Sequence, residues 1–425
     1  MSFTELAELI LQDAKVLDKY IQENNLPPPA LDANGPARTL FTSQESLSAR
    51  AGLLANTHKL HHLTQGPTAP WLGTVNGAFG DAMTSAAIYH FKIADHVPIG
   101  GGAPFEEVAS KAGLALRDFK MIVRYAMSNF IFCEPRPGFI AHTASSKLLT
   151  ENKLIRSLMS MGVDEIFPGI VKEIEALERY SGSEEPTESA WAIANDARSP
   201  LFAELAHHHP SRAENMAFAM ESLATMFSDV IIVEAYDWAS MGAATIVDVG
   251  GGKGFVSRQL ANHFPQLSFI VQDLQETADA GRGQLPAELQ DRITFMTHDF
   301  FTEQPVKGAD VYFFRAIFHD WPDKYCIQIL HNLIPALKNG AKIIIQDPFT
   351  SDPLTMQPWQ DRECRSSNLR MKLFFNACDR ETTEWRELIE KADPRFKLKG
   401  IKPRAREPGN EWGPKMALVE IVWDG

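Results

Sequence analysis

From residue 243 onward, short apolar runs alternate with segments whose apolar residues recur at helical spacing. The runs at 244–249, 268–272, 293–297, 310–314, 341–346 and 417–423 are rich in Val, Ile and Phe and read as strands. The stretches near 255–263, 284–290, 323–338 and 383–391 read as helices. Such alternation predicts an α/β fold, a mostly parallel sheet with helices on both faces. The last run, Ala417 to Trp423, is expected to pair at an edge.

Ahead of this region the spacing is helical almost throughout. Phe3, Leu6, Ile10, Leu17 and Ile21 mark an amphipathic helix over 3–24 that stops before Pro27-Pro28-Pro29. Helical patterns over 43–63 and 71–96 follow, and Pro98 through Ala103 breaks the second. Two short helices, Pro104–Ala112 and Leu116–Ile131, lead to residues 131–141, which read as a small hairpin. Helix, turn, helix and hairpin make the layout of a winged helix, an element that commonly binds DNA. Here Arg117, Lys120 and Arg124 stand beside Asp118 among mostly apolar residues, so dimer packing fits better than DNA. The expected division is a mostly helical, winged-helix-type dimerisation domain over 1–180 and an α/β catalytic domain over 181–425. Between 200 and 236, Phe202, Met216, Phe218, Met220, Met226 and Phe227 form a stripe suited to a core or to the wall of an apolar pocket.

Charge and cysteines narrow the function. A formal net charge of -13 argues against nucleic acid or an anionic membrane as a main partner. Cys133, Cys326, Cys364 and Cys378 form no Cys-x-x-Cys pair, and His207-His208-His209 cannot put three rings on one helical face. No metal site is expected. Without a secretory signal or an apolar run of about 18 residues, the expected setting is reduced and cytoplasmic.

The candidate chemistry starts at Ile246-Val247-Asp248-Val249-Gly250-Gly251-Gly252-Lys253-Gly254, a strand entering a helix through a glycine turn. That is how doubly wound folds build a ligand crevice at the carboxyl ends of their strands. The glycines are spaced Gly250-x-Gly252-x-Gly254, not as the Gly-x-Gly-x-x-Gly that accommodates a pyrophosphate. Asp248 at the turn would repel a diphosphate but suits a ligand carrying a sulfonium and an α-amino group. Asp273 ends the second strand, where it can accept from ribose hydroxyls. Asp299 ends the third, beside Phe300 and Phe301, where an adenine can be bound and stacked. Together these acids favour S-adenosylmethionine over a dinucleotide. The fourth strand leads to Arg315 and then His319, a candidate general base whose ordinary pKa lies near working pH. Asp347 and Asp379 fall at later element ends, where either could hold one imidazole nitrogen and leave the other for substrate.

With these segments in place, and with His319-Asp320-Trp321-Pro322-Asp323 and Glu384-Trp385-Arg386-Glu387-Leu388, the chain resembles the small-molecule O-methyltransferases of plant and fungal secondary metabolism. These are S-adenosylmethionine-dependent enzymes related to caffeic acid O-methyltransferase. The resemblance implies a Rossmann-like class I methyltransferase domain behind a helical dimerisation domain, acting as a homodimer on a small hydroxylated aromatic or polyketide. It implies His319 as base, with Asp347 and Asp379 where the plant enzymes carry flanking glutamates. It places Gly250 and Gly252 along the methionine end of the cofactor, Asp273 at ribose, Asp299 at the adenine side and Arg315 at a basic cofactor-contacting position. Asn368 stands where relatives have an aspartate, and Ala377-Cys378 where they have Gly-Lys. These departures motivate one alternative, in which the cofactor is retained without methyl transfer, for dehydration or a pericyclic reaction. The winged-helix layout offers another, a regulator, weighed against by net acidity and an intact His319.

Overall fold

The computed structural model describes residues 2–36, 39–225, 232–403 and 416–425. Met226 and Phe227 of the Met/Phe stripe lie outside them. By internal contacts the chain forms two compact units, 1–168 with 208–222, and 169–207 with 223–425.

In the first unit, β1 (Gly102–Pro104) pairs antiparallel with β2 (Phe139–Ala141). The expected hairpin over 131–141 is thus mostly replaced by this longer-range pairing, and Cys133 meets Ala141 only in a single bridge. Pro135 and Pro137 explain it, since neither has an N–H to offer a partner strand. Helices Phe105–Lys111 and Leu116–Ser128 pack beside the pair around buried Phe105, Val108, Phe119 and Val123. Upstream lie helices Phe3–Glu23, capped by Ser2, and Gln44–Gln65. The expected helix over 71–96 is interrupted by a wide turn at Gly73–Ala78 and resumes at Phe79–His90.

The second unit carries a seven-stranded sheet. In chain order its strands are β3 (Ala244–Val249), β4 (Leu267–Asp273), β5 (Ile293–Thr297), β6 (Val311–Arg315), β7 (Lys342–Pro348), β8 (Phe396–Pro403) and β9 (Met416–Trp423). Their spatial order is β5-β4-β3-β6-β7-β9-β8. The first five are parallel, and β9 runs antiparallel to both neighbours. Val311, Tyr312, Phe313 and Phe314 are all buried in β6, because a strand covered on both faces needs apolar residues throughout. The order reverses between β4 and β6, on either side of β3, so the crevice of such a fold opens past Val249.

Three expectations are corrected. Ala417 to Trp423 is not an edge strand: β9 lies between β7 and β8. The edge is β8, whose Lys397, Lys399, Gly400 and Lys402 hide it from an apolar-run reading and blunt it against further pairing. The helix expected near 284–290 is only a tight turn at Ala287–Leu289, and the true helix is Gln275–Gly283. That helix is mostly polar and buries only Ala278 and Gly281; a Cβ on Gly281 would come within 2.3 Å of the Phe295 ring. Lastly, the segment 323–338 is helical only over Asp323–Leu333 and tightens at Pro335. A long helix, Pro358–Phe375, had no clear apolar stripe to announce it.

Candidate active site

The glycine turn is tied to β4 by its own backbone. Gly250 and Gly251 N–H groups donate to the Gln272 carbonyl at 2.8 and 3.0 Å. Gly252 N–H donates to Asp273 Oδ2 and Leu274 N–H to Asp273 Oδ1, both at 2.8 Å. Burial raises the pKa of Asp273, and these two N–H groups oppose that shift. Gly250 and Gly252 both have left-handed backbones, φ 71° and 60°, but they face different surroundings. A Cβ on Gly250 would meet Ile317 Cδ1 at 2.5 Å, with the Phe300 ring at 3.8 Å. A Cβ on Gly252 would meet nothing within 4 Å, so there the backbone presents its bare side to open space.

Asp248 is built into the fold. Its Oδ2 accepts from the Ser257 hydroxyl at 2.6 Å, tying β3 to the helix Phe255–His263. Burial pushes its pKa up to about 6, against the pull of Ser257 and Arg315. Arg315 ends β6, and burial depresses its guanidinium to about 10 while Asp248 and Asp347 act to hold its charge. Asp299 Oδ1 accepts from Phe301 N–H at 2.9 Å, which turns the chain after β5. The Phe300 ring packs on Phe301 and Trp321, at 4.9 and 6.1 Å between centroids.

After Arg315 the backbone bends through Ala316, a left-handed residue at φ 53° without glycine's freedom. The following turn, Phe318–Asp320, is gripped by Asp347. Its Oδ1 accepts from Ile317 N–H at 3.0 Å and its Oδ2 from His319 N–H at 2.7 Å. Asp347 therefore holds the backbone of the histidine turn, not an imidazole nitrogen. Asp379 takes the ring: its Oδ1 lies 3.5 Å from His319 Nδ1, and both atoms are buried without a hydrogen-bond partner. At 3.5 Å this is an ion-pair separation rather than a formed hydrogen bond. Asn368 fixes the acid from behind, its side-chain oxygen accepting from Asp379 N–H at 3.0 Å.

Two participants were not singled out from sequence. Asp320 Oδ1 lies 3.5 Å from His319 Nε2, so acids stand near both ring nitrogens. As the immediate neighbour of His319 it offered no spacing signal. Arg380 is buried and donates to the carbonyls of Phe318 and Trp321 at 2.8 and 2.9 Å and to Asp323, bracing the turn from beneath. Burial disfavours charge on His319, but Asp320, Asp379 and Asp347 outweigh it and push the imidazole up to about 9. Burial in turn pushes Asp320 up to about 6, against the pull of His319. The His319 side chain keeps 17% of its surface, enough for a small group to reach the ring.

Among the described residues no His, Cys, Asp and Glu cluster is placed to hold a metal ion, and no helix is long and apolar enough to cross a membrane. Residues 190–394 match the O-methyltransferase domain model. The chain is 36% identical to the grayanic acid biosynthesis cluster O-methyltransferase of Cladonia grayi, over 99% of this chain and 87% of that one. It belongs to the S-adenosylmethionine-dependent O-methyltransferase family. This O-methyltransferase is also 33% identical to the chlorophenol O-methyltransferase of Trichoderma longibrachiatum, over 99% of its own length and 90% of the relative's. Solved structures share its fold. OxaC in complex with sinefungin and meleagrin aligns at TM-score 0.73 and 20% identity, over 98% of this chain and 99% of that one. LepI in complex with SAM aligns at TM-score 0.70 and 20% identity, over 98% and 100%.

The cofactor is S-adenosylmethionine, and the residues present suit it. Gly252 leaves room where a side chain would intrude, and Asp273 ends β4 beside it.

Proposed function

We propose that the enzyme methylates a hydroxyl of an aromatic or polyketide-type secondary metabolite, with His319 as the general base. The observation that carries this is the accessible imidazole set between Asp379 and Asp320. A phenol near pKa 10 lies roughly 3.5 units above an ordinary imidazole, so its deprotonation would cost about 5 kcal/mol. An imidazole raised to about 9 closes that gap to roughly one unit, or about 1.4 kcal/mol. The acids make His319 a stronger base, and their charge stabilises the imidazolium that results. Asp347 keeps the ring in place through the backbone, and Asp379 orients it. Bound in the crevice, S-adenosylmethionine supplies a methyl group on a sulfonium.

In this reading Gly250 and Gly252 line the methionine end of the cofactor, Asp273 accepts from ribose, and Asp299 with Phe300 holds the adenine side. Asp248 and Arg315 support the turn electrostatically. Residues 1–180 serve homodimer formation, supported by Trp71, Val75 and Phe79, which expose 76%, 69% and 65% of their surface in one short segment. The working compartment is the cytoplasm. Incubating the enzyme with labelled cofactor and a panel of hydroxylated aromatics tests the assignment. Label transferred by the wild type and lost in His319→Ala supports it; equal transfer by both removes His319 as base.

One observation favours a second reading. An imidazole held protonated can also act as an acid or a hydrogen-bond donor, as a dehydratase or pericyclase needs. One solved structure of this fold, at TM-score 0.69 and 21% identity, is described as a pericyclic reaction enzyme. S-adenosylhomocysteine formed one-for-one with product rules this reading out.

A further inference from the structure

The segment that carries Asp379 is tied down on both sides of that residue. The helix Pro358–Phe375 stops at Asn376, a left-handed cap at φ 56°, and the chain doubles back over Ala377 and Cys378. Asp379 N–H then meets the side-chain oxygen of Asn368, eleven residues earlier in the same helix, at 3.0 Å. Beyond it the Arg380 carbonyl accepts from Thr350 N–H at 3.3 Å, and the Arg380 side chain engages Phe318, Trp321 and Asp323. Between these ties the Asp379 carboxyl is buried and sets its Oδ1 against His319 Nδ1. The bond also fixes which end of the Asn368 amide points at Asp379, since an N–H needs an oxygen to accept it.

From this geometry we infer that Asn368 is a positioning residue: it aims Asp379 at His319 while adding no charge of its own. The inference rests on the reading of His319 as base. An aspartate at 368 can accept the same N–H, but it would bring a further carboxylate beside Asp379. The imidazole already has Asp320 from its own turn, Asp347 from β7 and Asp379 around it. The neighbouring cations have partners: Arg380 as above, Arg315 with Asp248 and Asp347, and Arg370, on the helix of Asn368, with Asp379 as its charged neighbour. Burial pushes the Cys378 thiol up to about 11, so it adds no charge. Each added negative charge holds a proton on the imidazole more tightly, and an imidazole that stays protonated cannot take one from substrate. The amide supplies the acceptor without that charge.

The test titrates the His319 imidazole by NMR in the full-length enzyme, labelled at histidine and loaded with S-adenosylhomocysteine; His319→Ala assigns the signal. Asn368→Asp should raise the midpoint by about one unit, as a nearby carboxylate does to a cation. Asn368→Leu removes the anchor and should lower the midpoint by about half a unit or more, toward that of Asp379→Asn. In an Asp379→Asn background Asn368→Leu should shift nothing further, because its effect travels through Asp379. An equal shift in both backgrounds overturns the inference, as does an unmoved midpoint in Asn368→Asp. Should the leucine variant fail to fold, Asn368→Asp keeps the acceptor and decides alone. With 4-chlorophenol as acceptor, Asn368→Leu should cost about tenfold in kcat/KM by itself and less than about twofold beside Asp379→Asn. Equal losses in the two backgrounds would mean a scaffold role only and overturn the inference. Failure of the base reading shows separately, as turnover that survives in His319→Ala, while the imidazole titration still reports on Asn368.

Discussion

Asp347 holds His319 by its backbone N–H, at 2.7 Å, while Asp379 alone faces its Nδ1. The two acids therefore carry different loads, and substitutions should separate them.

Asp347→Ala leaves the part-buried N–H groups of Ile317 and His319 without their acceptors, each costing about 1 kcal/mol or more. The variant should melt several degrees lower, and turnover should fall at least a hundredfold at every pH. Asp347→Asn keeps one acceptor and should recover part of both losses. Thermal unfolding and turnover measured together check this; unchanged stability in the alanine variant would refute the backbone grip.

Asp379→Asn should act on the proton and spare the scaffold. Removing one carboxylate lowers the imidazole pKa from about 9 toward its ordinary value. A raised imidazole is protonated below its pKa, so wild-type kcat/KM for a simple phenol should climb with pH and level off near 9. In the variant the plateau should begin at lower pH and stand lower, because the base is weaker. A rate profile from pH 6 to about 10 reads both changes.

The glycine turn offers a matched pair. Gly252→Ala meets open space and costs only the left-handed backbone, about 1–2 kcal/mol, so the protein should fold. Its affinity for S-adenosylhomocysteine should drop at least tenfold, because the methyl would occupy ligand space. Gly250→Ala drives a carbon to 2.5 Å from Ile317 and should lower the melting temperature as well as the affinity. Calorimetric binding beside thermal unfolding distinguishes the two, and full affinity in Gly252→Ala would place the cofactor elsewhere.

Arg380→Met should loosen the histidine turn from beneath, exposing the Phe318 and Trp321 carbonyls to an apolar neighbour at a cost of about 2–4 kcal/mol. Arg380→Lys can reach only some of these acceptors and should fall between. Denaturant unfolding gives the loss, and a change below about 0.5 kcal/mol would show that the brace is dispensable.

Much of this was legible because buried parallel strands must be continuously apolar. β3 and β6 announce themselves, and the ends of the apolar runs then mark Asp273, Asp299 and Arg315 as candidates. β8 and the helix Pro358–Phe375 were hidden for the opposite reason: an edge strand and a helix rich in charged residues carry no unbroken apolar signal. The acid pair around His319 was legible as residue types only. Which of Asp347 and Asp379 meets the ring depends on a left-handed Ala316 and on backbone N–H groups, neither of which a side-chain pattern encodes. Asp320 meets the ring through three-dimensional proximity alone.

Ile317 joins the two halves of the site: its side chain fills the space against Gly250 while its N–H is held by Asp347. Under the proposed function, the gap between methyl donor and base is thereby set by one residue belonging to neither. A change at Ile317 would therefore alter the spacing of the reacting groups while leaving the chemistry of each group untouched.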